Sequence, residues 1–531
     1  MPPARTAEAS YVRARAASAL GSLGEAATGF SAALAASPGD KALAQRAFRQ
    51  AMLAGDKPLA VRAATTLEQA NELPADGTLL MFSESVAARD WKGASLRLAT
   101  IEKQEAFRFL LPVLRAWVAF GAKTGEPMTS LETGQPSPLA VSYIAEHRAL
   151  LLLAQGRVED GMAALAPLVS AGDGRSARLR IAAAARLAEL GERKQAATLL
   201  EGEDAPIVAA RDLLSARKPI PGAITTPADG IAELLVRLGA DINRERVSPV
   251  ALSLARLSTF LAPGNSETWL VTASMLASAD HPSEAVAAVN QVAANDPFAT
   301  TARDTRVQLL VRKGEQEAAL AEALAAAKRR DRSVSDIARV GDIYNELGRN
   351  LEAAEAYGEA IDASAKGEAP GQSLWSLHLL RGSAFDQAGR WDEAVADLRK
   401  AVELAPQEPV ALNYLGYAQL ERRINLDEAE KLIEAASRLK PDDPSITDSL
   451  GWVYYLRGDK ARAIDTLERA VTGEPGEPTI NEHLGDAYWS VGRKLEARFA
   501  WRAALVGAEA EDATRINRKI DMGLTPEVAA P

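Results

Sequence analysis

Small residues recur along this 531-residue chain with a period close to 34 residues, and this period limits the possible folds more than any other feature. Four consecutive segments align with one another over residues 379–505. Their equivalent glycines are Gly382, Gly416, Gly451 and Gly485, and the first three segments close with Pro406, Pro441 and Pro475. A unit of this length is typical of a helical hairpin, which cannot bury its apolar face alone. Neighbouring hairpins are therefore expected to stack and share one continuous core.

Each segment also carries a fixed set of residue types. In the third segment these positions are Leu450, Gly451, Tyr454, Gly458, Ala463, Leu467, Ala470 and Pro475. The set resembles the tetratricopeptide repeat (TPR) family at nearly every diagnostic position. The resemblance implies an all-α fold, a right-handed superhelical solenoid of stacked TPR helical hairpins. We expect Gly451 to let two helices pack closely, and Gly458 to end the first helix of its hairpin with a positive φ.

The repeat register varies in strength along the chain, and this variation predicts four segments. They are N-terminal TPR-like repeats at 1–108, degenerate TPR-like repeats and loops at 109–231, a regular TPR array at 232–511, and a C-terminal capping helix and tail at 512–531. A polar final helix is what a repeat array needs in order to stop self-association at its end.

Charge and composition narrow the range of partners. The chain has 61 Lys and Arg against 71 Asp and Glu, a net charge of −10, so nucleic acid is not an expected partner. No apolar run reaches the roughly 18 residues that a membrane span needs, so membrane insertion is not expected. The absence of a signal-peptide pattern predicts a cytoplasmic location for the chain as given, and a missing leader would place it in the periplasm.

The sequence shows no pattern that indicates a catalytic, cofactor or metal site. Cysteine is absent, which excludes thiolate chemistry and zinc–thiolate sites. None of the four histidines, His147, His281, His378 and His483, pairs with another ligand at metal-binding spacing, so they are interpreted as surface or packing residues. No serine lies in a nucleophile-elbow motif. We therefore predict a protein that is not an enzyme.

The concave face of TPR arrays, lined by first helices, typically holds protein or peptide partners. Residues spaced i, i+4 and i+7 share one face of a helix, and this spacing selects the candidate groove residues. They are Asn413, Tyr417, Asp448, Trp452, Tyr455, Glu482, Asp486 and Trp489. Aromatic residues in such a groove are good interface anchors, and the acids favour a partner rich in Lys, Arg or amides. The basic clamp of chaperone-binding TPRs is missing, because Asn413, Asp448 and Glu482 stand at its positions. The same four aromatic residues are alternatively interpreted as packing between repeats.

The second half of the chain resembles a narrower group, the long bacterial TPR proteins of the cell envelope. The resemblance lies in residues 411–470 and 480–501, and in the run LARLSTFLAPGNSETWLVTASMLAS at 254–278. Some members are attached to the outer membrane through a lipid on an amino-terminal cysteine, and one is an adaptor that activates a carboxyl-terminal processing protease. The resemblance implies an envelope scaffold or protease adaptor, although this sequence has no cysteine to carry a lipid.

Two other function classes stay open at this point. One class is a structural protein that self-associates by packing its repeat array against that of another copy. The sequence does not define an oligomeric state. The other class is an enzyme that uses the TPR array as a framework. Such an enzyme requires a non-repeat lobe or a polar cluster inside the groove.

Overall fold

The structure is a computed structural model that describes residues 7–132, 137–170, 174–245, 248–329, 332–366 and 373–530. Within these ranges every regular element is a helix, which confirms the all-α fold. No helix in the same ranges is long and apolar enough to cross a membrane. Contacts divide the chain into two compact units, Met1–Glu315 and Gln316–Pro531. The four segments predicted from the sequence describe the regularity of the repeats rather than these contacts, and they stay a prediction.

The first unit contains eighteen α-helices in its described residues, most of them arranged as antiparallel hairpins. They are α1 (Ala7–Ala19), α2 (Leu23–Ala36), α3 (Lys41–Ala54), α4 (Lys57–Gln69), α5 (Ala75–Ala87), α6 (Trp91–Gln104), α7 (Leu111–Ala122), α8 (Thr129–Glu132), α9 (Val141–Ala154), α10 (Val158–Val169), α11 (Gly174–Glu189), α12 (Arg193–Leu199), α13 (Ala205–Ser215), α14 (Pro227–Glu245), α15 (Pro249–Leu261), α16 (Ser266–Ser278), α17 (Pro282–Val289) and α18 (Ala299–Arg312). Two 3₁₀ helices, Arg108–Leu110 and Pro138–Ala140, precede α7 and α9.

The second unit contains twelve α-helices in its described residues. They are α19 (Gln316–Ala327), α20 (Val334–Glu346), α21 (Asn350–Ala365), α22 (Leu374–Gln387), α23 (Trp391–Leu404), α24 (Pro409–Glu421), α25 (Leu426–Leu439), α26 (Pro444–Leu456), α27 (Lys460–Gly473), α28 (Pro478–Ser490), α29 (Lys494–Ala504) and α30 (Ala510–Met522). From α20 to α29 each successive pair is a hairpin, and each hairpin packs on the next one. This is the stacked arrangement expected from the repeat.

The sequence signals at the ends of the helices explain why the hairpins form where they do. The Asp443 and Asp459 side chains cap α26 and α27 by accepting hydrogen bonds from backbone N–H groups of the first turn. Gly458 joins the two helices with φ +85°, a left-handed conformation that favours glycine. Gly451 lies so close to Leu467 that a Cβ atom at position 451 would be 2.7 Å from the leucine Cγ. Both expectations about these glycines are confirmed.

Helices α14 and α15 give the first unit contacts that a simple row of hairpins lacks. Helix α15 contacts α3 and α5, and α14 contacts α5, α7 and α9. The buried Arg256 of α15 donates a 2.8 Å hydrogen bond to the Leu53 carbonyl at the end of α3, about 200 residues earlier in the chain. Buried Arg178 of α11 pairs with Glu233 of α14 and Glu267 of α16 at 2.9 Å each. These contacts tie α14–α16 to the early hairpins of the same unit.

Candidate functional site

The predicted groove residues lie on three consecutive first helices of the second unit. Helix α24 carries Asn413 and Tyr417, helix α26 carries Asp448, Trp452 and Tyr455, and helix α28 carries Glu482, Asp486 and Trp489. We refer to this surface of α24, α26 and α28 as the first-helix face. Its residues come together because the hairpins stack in register, so that equivalent positions of successive repeats become neighbours.

The aromatic part of the first-helix face is a stack of rings. Trp452 lies between Tyr455, with ring centroids 4.5 Å apart and planes 5° apart, and His483, at 4.1 Å and 13°. Tyr417 approaches His483 from α24, with a centroid distance of 6.3 Å. Trp452 is only 1% exposed, whereas Tyr417 and Tyr455 are half-buried. Within this stack, the two tyrosines therefore retain surface for a partner.

The buried His483 is oriented by one of the predicted acids. Its Nδ1 atom lies 3.0 Å from both carboxylate oxygens of Asp448, which is also buried. Its Nε2 atom is buried without a hydrogen-bond partner in the part of the chain that the structure describes. No hydroxyl nucleophile is therefore within hydrogen-bond reach of this imidazole among those residues, and the arrangement holds the ring in the stack.

The other two acids pair with basic residues of α30. Lys519, which is 0% exposed, donates hydrogen bonds from Nζ to Glu482 Oε1 at 2.6 Å and to both oxygens of Asp486 at 2.8 Å. Arg515 binds Glu482 with two hydrogen bonds of 2.9 and 2.7 Å. The Trp501 Nε1 atom donates to Asp486 Oδ1 at 2.9 Å. Glu482, Asp486, Lys519 and Arg515 thus form a largely buried charge cluster, in which Arg515 also pairs with Asp512 at 2.8 Å. The two predicted acids are therefore already paired with cations within the chain.

The pKa values of the two acids shift in opposite directions. Burial raises the pKa of Asp486, and its hydrogen bond with Lys519 only partly offsets this. Burial acts in the same direction on Glu482, but the hydrogen bonds from Arg515 and Lys519 outweigh it and lower the pKa of that group. Glu482 therefore carries the more firmly held negative charge of the pair.

Residues 523–530, here named the docked segment, leave α30 and lie against the first-helix face. The backbone N–H of Ala530 donates a 2.9 Å hydrogen bond to Asp486 Oδ2. Ala530 belongs to the same apolar cluster as Trp452 and Leu420. Near the start of the segment, Leu524 packs in a cluster with Trp489, Trp501 and Ile516.

The remaining two predicted residues lie at the margins of this arrangement. Trp489 is half-buried, with its ring centroid 5.4 Å from that of Trp501 and with Gly523 against its ring. Asn413 is half-buried on α24, and its Oδ1 atom has no hydrogen-bond partner among the described residues.

Sequence reasoning did not identify five residues that contact the predicted acids. His483 and Trp501 lie within the repeats, and Arg515, Lys519 and Ala530 follow them in the chain. The i, i+4 spacing of Arg515 and Lys519 matches that of Glu482 and Asp486, and this complementarity was the available signal. Within the described residues, no group of three or more His, Cys, Asp or Glu side chains is placed to hold a metal ion.

Comparison with known protein families gives three overlapping matches to one model. The model is described as "Tetratricopeptide repeat", and it matches residues 379–444, 420–478 and 449–513. These ranges contain α24, α26 and α28 and therefore the whole first-helix face. A TPR repeat-containing protein of Pseudomonas aeruginosa is 43% identical over 75 residues, which is 14% of this chain and 13% of that protein. The chain thus spans well under two thirds of the curated relative it matches.

Two solved structures are similar to part of this chain. A tetratricopeptide repeat protein from Parabacteroides merdae is 16% identical, with a TM-score of 0.40, and the match covers 49% of this chain and 99% of that chain. A thermophilic TPR protein from Thermus thermophilus is 22% identical, with a TM-score of 0.30, over 35% of this chain and 96% of that chain.

Proposed function

We propose that this chain, whose residues 379–513 are tetratricopeptide repeats, is a non-enzymatic scaffold or adaptor that binds protein or peptide partners along its first-helix face. Proteins built from these repeats generally mediate protein–protein interaction. The partner-binding residues in this proposal are those predicted from the sequence, with Tyr417 and Tyr455 as the anchors that keep exposed surface.

The observation that carries the proposal is the docked segment. The first-helix face already holds a stretch of non-helical backbone, through the hydrogen bond from Ala530 to Asp486 and apolar contacts beside Trp452. A surface that accommodates one such stretch has the shape and the hydrogen-bond acceptor that a peptide partner needs.

The ion pairs of Glu482 and Asp486 narrow the class of partner that we expect at this face. Arg515 and Lys519 balance Glu482 and Asp486, so these acids do not require an additional cation from a partner. We therefore favour a partner that uses aromatic contacts and backbone hydrogen bonds at this face over one selected by positive charge. This replaces the expectation of a Lys- or Arg-rich partner that the sequence alone suggested.

Affinity purification with adjacent tyrosine variants tests the proposed surface. Tyr455 stacks on Trp452, whereas Tyr454, the next residue on α26, packs under Arg462 of α27 at 4.5 Å. Tyr455→Ala is expected to lose the proteins that the tagged wild-type chain recovers from its native cell, and Tyr454→Ala is expected to keep them. Recovery of the same proteins by both variants would remove the proposed surface.

The resemblance to envelope TPR proteins supports a more specific proposal, an envelope scaffold that acts as a protease adaptor. The same purification, made separately from periplasmic and cytoplasmic fractions, tests this version. Recovery of a processing protease from the periplasmic fraction supports it. If the chain is found only in the cytoplasmic fraction, with unrelated partners, the envelope role is overturned. The general binding function is then still tested by the tyrosine variants.

A further inference from the structure

The docked segment begins with a turn that brings the chain back over the repeats. Gly523 ends α30 with φ +90° and ψ 178°, a conformation that is essentially restricted to glycine. A side chain at this position would overlap the ring of Trp489. Position 523 therefore combines the backbone freedom and the close approach that the turn requires.

The side chains of the docked segment divide into buried and exposed sets. Val528 and Ala530 are each 1% exposed, whereas Pro526 and Glu527 are exposed. Residues 526–528 form a turn, in which the Val528 N–H donates a 3.1 Å hydrogen bond to the Thr525 carbonyl, and the buried positions 528 and 530 follow the exposed ones. The buried side chains are small and apolar, and the charged one faces away.

The docked segment is held less strongly than the helix that precedes it. Helix α30 is fixed by Lys519 and Arg515, which form buried ion pairs with α28, and by the 3.0 Å hydrogen bond from Arg498 to the Ile520 carbonyl. The docked segment contacts the first-helix face through the hydrogen bond from Ala530 to Asp486 and through apolar packing of small side chains. The segment is thus positioned to leave the face while α30 stays in place.

We propose that the docked segment is an intramolecular ligand of the first-helix face, and that an external partner displaces it with a peptide of the same chemistry. That peptide is non-helical, carries small apolar side chains two residues apart, and offers a backbone N–H to Asp486. This inference rests on the proposed function and specifies the partner class. A tethered segment competes at an effective concentration in the millimolar range, so it lowers the apparent affinity for any competitor.

Direct binding of a synthetic peptide tests the proposal. The probe is a fluorescein-labelled peptide with the sequence of residues 523–530, GLTPEVAA, amidated at its end. The test protein is the full chain with Val528→Asp and Ala530→Asp, which places one carboxylate at a buried position and another in the apolar cluster beside Asp486. This variant is expected to bind the peptide about tenfold more tightly than the wild-type chain does, because its own segment no longer occupies the face.

Two matched controls define the effect. Pro526→Asp adds a carboxylate to the same segment at an exposed position and is expected to behave like the wild-type chain. A peptide that carries Asp in place of its last alanine is expected not to bind the double variant. Circular dichroism of every variant shows whether the helices are retained.

A second measurement applies if the double variant loses helical signal. Because the chain has no cysteine, Glu527→Cys offers a unique site for a spin label at an exposed position of the segment. Addition of millimolar unlabelled peptide is expected to convert an immobilised spectrum into a mobile one.

The intramolecular-ligand proposal would be overturned if the wild-type chain, Pro526→Asp and the double variant bound the peptide equally well. It would also be overturned if the peptide did not change the mobility of the spin label. The proposed function fails through a different result, namely retention of native partners by Tyr455→Ala. The two failures are therefore distinguishable.

Discussion

At the scale of single residues, Lys519 joins α30 to α28 through two ion pairs. It is fully buried, and it lies between two acids that the sequence places on one face of α28. Removing one partner of a buried ion pair leaves uncompensated charge in a medium of low dielectric constant, which costs more than the pair itself contributes.

Lys519→Met is therefore expected to lower the free energy of unfolding of the chain by about 3–5 kcal/mol. Urea denaturation followed by circular dichroism measures this loss. Arg518→Met removes an exposed cation from the same helix and is expected to change stability by less than about 0.5 kcal/mol. If both variants lost the same small amount, the buried cluster would have no special role in stability.

The first unit contains a buried histidine that is neutral, whereas the buried Lys519 is charged. His147 is 1% exposed, and its Nδ1 accepts a 3.1 Å hydrogen bond from the Trp117 Nε1–H. Burial lowers the pKa of His147 to about 3. The folded chain therefore keeps this imidazole neutral at pH values where the unfolded chain protonates it.

This difference predicts a loss of stability on acidification. Because the pKa in the folded state lies below the unfolded value of about 6.5, the unfolded state binds more protons as the pH falls from 6.5 towards 3. Between pH 7 and 5, the wild-type chain is expected to lose about 2 kcal/mol more unfolding free energy than His147→Gln, whose amide oxygen also accepts from Trp117. Urea titrations at the two pH values measure the difference, and parallel losses in the two proteins would show that His147 does not titrate on unfolding.

The residue scale also shows what the sequence could and could not predict about the site. Gly451 and Gly458 follow from the local repeat pattern, because the contacts that select them lie within one hairpin. The pairing of Lys519 with Glu482 spans 37 residues and involves a helix outside the repeats. Its polar sequence suggested a solvent-exposed cap, so burial of its basic residues could not be derived from periodicity.

At the scale of elements, hairpin packing depends on which glycines are in close contact. Gly451 in α26 faces Leu467 at a distance that leaves no room for a Cβ atom. A Cβ atom at Gly358, in the middle of α21, would lie no closer than 3.4 Å to the side chain of Arg381, which is an ordinary contact. The two glycines therefore predict opposite effects of the same substitution.

Gly451→Ala is expected to destabilise the chain by about 1–3 kcal/mol, because the methyl group forces α26 away from α27. Gly358→Ala is expected to stabilise it by about 0.5–1 kcal/mol, because alanine favours the helix where no clash opposes it. Thermal unfolding followed by circular dichroism measures both. Stabilisation by both substitutions would contradict the close packing of α26 and α27.

The repeat pattern predicts the hairpins but not the long-range contacts between helices of the first unit. The repeat pattern predicts hairpins, and the second unit forms them in an unbroken series from α20 to α29. In the first unit, α14 and α15 pack across α3, α5 and α7. Such contacts join positions far apart in the sequence through residues such as Arg256, and a pattern that repeats every 34 residues contains no information about them.

At the scale of the whole molecule, the proposed binding face lies in the second of the two compact units. That unit contains the residues matched by the tetratricopeptide-repeat model, the buried charge cluster and the docked segment. The first unit has its own apolar core, built from residues between α1 and α18.

Hydrogen–deuterium exchange of the full chain, with and without a co-purified partner, tests whether partners bind on the first-helix face. The partner is expected to slow amide exchange in α24, α26 and α28 and to speed it in residues 523–530, because it takes the place of the docked segment. Slower exchange confined to other helices, with no change in these three and in the segment, would contradict the claim that this chain binds its partners on the first-helix face.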